Sequence, residues 1–168
     1  MHTIVSIIDT INEKLGAIFM WLMVILIAIV TYDVLMRYIF NAPSVWVYEL
    51  ALIIGSAAYL LSWGDTERLD KHLRVDIFYS RCSPKWKALI NVLGTVICWY
   101  PLFIAYMIVS VPWAIKSWRV GEKMMESYWY PPFGPTRTVI IVGLCLFTMQ
   151  ITANLIRNIH ILKTGEQI

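Results

Sequence analysis

Few side chains in this 168-residue sequence have the type and spacing to do chemistry. Asp33 and Arg37 stand four apart with the acid first, the favourable order for a pair on one helix face. Glu49 follows across the short Asn41-Ala42-Pro43-Ser44 connection and is expected at similar depth, where it competes for Arg37. Ionisable groups within apolar spans are functional hypotheses by default, with a proton or ion relay as the sharp version. Here all three lie toward one end of their helices, where snorkelling and mutual neutralisation suffice, so a structural clamp of the hairpin is the favoured reading.

A second constellation is Gln150, Asn154 and Arg157, at i, i+4, i+7 along one helix face. Amides so placed in membrane helices usually bond to neighbouring helices, and glue is preferred here over a substrate path. Ala51, Gly55, Ala58 and Ser62 line one face of another helix and permit close backbone approach, marking a packing seam. Between about 65 and 87 lies a loop of six basic and four acidic residues, including His72, Arg74 and Asp76. Leu69, Leu73 and Ile77 would share one helical face, so this segment is expected to lie along the membrane surface in contact with lipid. His72 reads as a hydrogen-bonded surface residue, since no second His or Cys at metal spacing accompanies it.

Enzymatic and redox chemistry fail on inventory. His2, His72 and His160 all fall outside the apolar runs, whereas a membrane haem needs axial ligands at depth. Cys82, Cys98 and Cys145 show no paired spacing, and no nucleophile motif, phosphate loop or metal-binding helix motif is present. No catalytic residue, cofactor or metal is expected. Basic and acidic residues alternate within the loops, so nucleic-acid binding has no support.

The elements that must position these residues follow from composition. Apolar residues make up 59% and charged residues 15% of the chain, with a mean hydropathy of +0.65, too much apolar surface for a soluble fold of this size to hide. Four long apolar runs predict an all-α membrane protein, one domain of four transmembrane helices over about 15–39, 45–64, 86–115 and 137–157. The third uncharged run, 88–115, would measure about 42 Å as helix and should tilt, bend or protrude, with Pro101 and Pro112 as the places to bend. Ser44 is expected to cap the second helix, and Ser83-Pro84 to start the third. The first run is read as a retained signal anchor, because Asp9 and Glu13 precede it with one Lys and no small-residue cleavage site follows.

The third loop ends in Pro131-Pro132-Phe133-Gly134-Pro135, which cannot be helical. Trp113, Trp118, Tyr128, Trp129 and Tyr130 flank it and read as an interfacial aromatic belt in preference to a ligand cage. Nine Lys and Arg fall at the termini and second loop against five in the first and third loops, which predicts cytoplasmic termini.

The segment Arg37-Tyr38-Ile39-Phe40-Asn41-Ala42-Pro43, then Trp46 and Glu49, then His72-Leu73-Arg74-Val75-Asp76-Ile77, resembles the DctQ-like small membrane subunit of tripartite ATP-independent periplasmic (TRAP) transporters. The stretch with Pro135, Gly143, Gln150 and Ala153 is similar too. Two departures are the aromatic and proline-rich third loop and Leu50, where the family often has a second Glu.

The resemblance implies a bacterial inner-membrane subunit of a sodium-driven symporter for organic acids. Its partners would be a large multi-span TRAP membrane subunit, which it braces, and a periplasmic substrate-binding protein. Lys116, Arg119, Glu122, Lys123 and Glu126 in the longest outside segment are then the expected docking residues. The alternatives are a membrane anchor subunit of a respiratory or other enzyme complex, and an autonomous small transporter.

The charge count carries a topology test. In a chain stripped of its native thiols, Thr164→Cys should resist an impermeant thiol reagent in intact cells and react after permeabilisation. Labelling in intact cells reverses the orientation.

Overall fold

The computed structural model of the protein describes residues 2–69 and 82–164. His72, Arg74, Asp76 and most of the expected interfacial segment lie outside them. The described chain is built of helices: α1 (His2–Tyr38), α2 (Val47–Leu61), the short α3 (Trp63–Arg68), α4 (Pro84–Gly94), α5 (Tyr100–Val120) and α6 (Gly134–Thr164). A π-turn, Thr95–Trp99, joins α4 to α5. By length and apolarity these give four membrane-crossing helices, Val5–Tyr38, Val47–Arg68, Pro84–Val120 and Gly134–Thr164. The third measures about 55 Å at the usual helical rise, well beyond a hydrocarbon core of about 30 Å.

Turn chemistry sets the first hairpin. Asn41 takes the left-handed conformation at φ 50° and Ala42 N–H donates to Met36 O at 3.0 Å, a left-handed helix end in which Asn stands for the usual glycine. Ser44 does not cap α2. Its backbone amide donates to Asp33 Oδ1 at 3.0 Å, and α2 starts three residues later behind Trp46 with no side-chain cap. The carboxylate of α1 thus ties the α1–α2 connection back to α1. At the third span the expected cap is present: Ser83 precedes Pro84, with a long 3.5 Å contact from Trp86 N to Ser83 Oγ. Gly121, at φ 64°, closes α5.

The last helix is the hub. α6 packs against α1, α2, α3, α4 and α5, while among the described residues the third span finds its extensive partner in α6 alone. Consequently, no residue in the most apolar stretch of the third span is buried. Pro101 has no amide to offer the Ile97 carbonyl, and the π-turn immediately before it absorbs that mismatch. The wider turn also changes the helical phase, so adjacent residues reach the same neighbour. Trp99 Nε1 donates to Thr148 Oγ1 at 3.2 Å, and the Tyr100 and Thr152 hydroxyls lie 2.9 Å apart. Pro112 sits inside continuous α5.

Close approach between α2 and α6 depends on Gly143. A Cβ there would stand 2.8 Å from the Leu60 carbonyl oxygen, backbone that cannot step aside. Gly55, on the expected seam, is less constrained, because its Cβ would lie 3.6 Å from a Leu26 methyl, an ordinary contact. Gly143→Val should therefore cost about 1–3 kcal/mol through overpacking. Gly55→Ala should leave stability unchanged or raise it by up to about 1 kcal/mol. Thermal unfolding midpoints in detergent distinguish the two, and equal midpoints would refute the close contact.

Candidate functional site

Polar side chains gather at the two ends of the bundle. At the end holding the helix termini, Gln150 of α6 is wholly buried. Its Nε2 donates to Asp9 Oδ1 at 2.8 Å and its Oε1 accepts from Asn12 Nδ2 at 2.8 Å, so one amide ties α6 to two successive turns of α1. One turn on, Asn154 Nδ2 donates to Glu67 Oε1 at 2.9 Å, reaching α3. Arg157 then pairs with Asp9 and donates from NH1 to Asn154 Oδ1 at 2.8 Å. Arg68 extends the set through Asp65, 2.9 Å, and Glu13, 3.4 Å. The i, i+4, i+7 stripe thus bonds to helices on two sides. Composition alone did not single out Asp9 and Asn12 as its partners. Their i, i+3 spacing, which puts two polar groups on one face of α1, was the available signal.

At the other end, Asp33 and Arg37 form their pair at 2.8 Å, with Asp33 also holding the Ser44 amide. Among the described residues no ion pair links Arg37 to Glu49. Glu49 is fully buried, and its Oε1 accepts from Ser127 N at 2.7 Å, fastening the tip of the third loop to the start of α2. Loop residues pair as a miniature hairpin, Met124 N to Pro131 O and Phe133 N to Glu122 O, both 2.8 Å. Glu122 Oε1 accepts from Arg137 NH2 at 2.7 Å, and the Arg137 guanidinium stacks over Trp113 and Phe133 at 5.2 and 4.8 Å. Trp118 Nε1 donates to Thr138 Oγ1 at 3.0 Å. Of the five residues singled out in this loop, Lys116, Arg119, Lys123 and Glu126 are exposed, whereas Glu122 is half-buried and engaged internally. Arg137 and Ser127, the residues that shape the loop, were missed.

Between these ends an aromatic ladder links three membrane spans: Tyr59 on Trp63, Trp63 on Phe147, and Phe147 edge-on to Trp99 at 4.8 Å. Ala51 and Gly55 are half-buried beside buried Ala58 on α2. Among the described residues no group of three or more His, Cys, Asp or Glu is arranged to hold a metal.

Four apolar spans, with their polar groups committed to holding helices and one loop in place, define a multi-pass helical membrane protein. Residues 26–160 match the family described as tripartite ATP-independent periplasmic transporters, DctQ component, and the chain belongs to that family. It is thus the small membrane subunit of a TRAP transporter. Against curated proteins the chain finds no match.

Two substitutions separate the roles of the two ends. Gln150→Ala leaves Asp9 and Asn12 without their bridging amide and should cost about 1–3 kcal/mol, read as a lower unfolding midpoint. Glu49→Ala should release the loop instead, raising tryptic cleavage after Lys123 about tenfold or more, since a hydrogen bond to a charged acceptor is worth about 1.5–3 kcal/mol. Glu49→Gln keeps the acceptor and should protect the loop. Equal cleavage in all three proteins would remove the Glu49 to Ser127 bond as the latch.

Proposed function

We propose that this subunit serves a sodium-driven symporter for organic acids. In this reading it braces the large membrane subunit with both termini cytoplasmic, and its third loop helps dock the periplasmic substrate-binding protein. The observation that carries the docking role is the built character of the loop. Residues 121–133 are pinned by Glu49, by Arg137 and by their own backbone pairing, which holds exposed Lys123 and Glu126 in place beside Lys116 and Arg119 on the last turns of α5. A preorganised set of mixed charges guides encounter with a transient partner at little ordering cost. Met125 and Tyr128, more than four-fifths exposed at the tip, add apolar contact area. Family membership favours this reading over an enzyme anchor, and the exposed apolar faces of α1 and the third span suit contact with a large membrane partner.

Reversing Arg119 and Lys123 to Glu should slow transport severalfold at low binding-protein concentration, with recovery at excess and normal assembly with the large subunit. Encounter rates vary over one to three decades with such charges, so a loss of about tenfold is in range. Wild-type transport at every concentration would eliminate both residues as docking contacts.

A further inference from the structure

Beneath the third loop, on the face between α5 and α6, lie two cavities of about 370 and 380 Å³. Trp113 and Arg137 belong to both, forming a shared wall. The upper cavity, toward the loop, adds Lys116 and Glu122. The lower one runs one to two turns back along α5, past Val109 and Tyr106, and is closed on the α6 side by Ile140. Polar rim and apolar slot are therefore stacked along the helix axis, at the end of two membrane-crossing helices.

The rim has unused capacity for an anion. Glu122 occupies only NH2 of Arg137, and no acceptor among the described residues takes NH1, while Nε is enclosed. Lys116 is exposed beside it, so two cations face one carboxylate. Stacking on Trp113 and Phe133 holds the guanidinium plane fixed, which favours a planar donor set for phosphate oxygens. Because α5 and α6 are membrane helices, the molecule available at this depth is an amphiphile.

We propose that the two cavities together hold one membrane phospholipid, its phosphodiester at the Lys116 and Arg137 rim and an acyl chain in the slot lined by Val109, Tyr106 and Ile140. The site draws on the leaflet at the loop end and does not depend on the docking role or on which side of the membrane that end faces. An occupying lipid would cover the apolar slot and share the charge that Glu122 leaves on Arg137.

Native mass spectrometry of the delipidated full chain in mild detergent tests this with defined probes. Phosphatidylethanolamine should bind at about tenfold lower concentration, or less, than diacylglycerol of the same chains, which lacks the phosphate. Lys116→Gln should weaken phospholipid binding about two- to fivefold, the range for an exposed charge contact. Val109→Trp, filling the slot, should abolish it. Glycerophosphoethanolamine, the headgroup without chains, should not displace bound lipid. Equal binding of diacylglycerol, or retention by a folded Val109→Trp chain, overturns the proposal. Displacement by the chainless headgroup would instead make this a soluble phosphate-ester site. Should Val109→Trp fail to fold, the diacylglycerol and headgroup comparisons on the unaltered chain decide the question alone.

Discussion

A polar side chain between membrane helices has no water to fall back on, and the fully buried Gln150 meets that constraint by giving both halves of its amide to α1. The rest of the bundle is arranged around this contact. Lipid is as apolar as leucine, so apolar surface alone gives membrane helices little reason to associate. Directional bonds supply the specificity: Asp9 is shared between Gln150 and Arg157, and Asn154 carries the connection to Glu67 on α3. Gly64 allows this closeness, since any Cβ at that position would collide with the Asn12 carboxamide. Successive turns of α6 therefore engage α1, then α3, then α1 again.

The opposite end solves a different problem. Its polar groups serve a loop more than they join helices. Glu49 enters α2 buried and spends its bond on Ser127, seventy-eight positions away in sequence. Arg137, in the first turn of α6, holds Glu122 and lies against two aromatic rings. A loop with two prolines in succession and an αL tyrosine, Tyr130 at φ 52°, would otherwise have many conformations; these contacts choose one. The result is a rigid, charged and aromatic surface at the membrane boundary, carried by helices whose other ends are cross-linked to one another.

The third span occupies a position between these regimes. It meets the bundle along one stripe, through Trp99, Tyr100 and the aromatic ladder, and leaves the remainder of its long surface apolar and uncovered by the described residues. The π-turn makes that single stripe adequate, because two consecutive side chains bond to α6 where a regular helix would turn one of them away. For a subunit of a larger membrane assembly, a helix bound on one side only leaves surface for lipid and for a partner.

The sequence by itself determined the all-α class, the four apolar spans and the polar stripe of α6, because hydropathy and helical periodicity are local properties that persist whatever the packing. The resemblance read from the segment after Arg37 likewise agrees with the family that residues 26–160 match. Tertiary structure alone decided who pairs with whom. Asp33, Arg37 and Glu49 lie close in sequence, yet Glu49 turns to the third loop while Asp33 takes the Ser44 amide as well as Arg37. Ser44, a good cap by residue type, lies three residues before α2 and gives its backbone amide to Asp33. Glu122, one of five charges that look alike in sequence, is engaged within the chain because Arg137, held against two rings, donates to it. In each case the outcome rests on a partner tens of residues away or on competition for one donor, and neither distance nor competition is written in the spacing of a single segment.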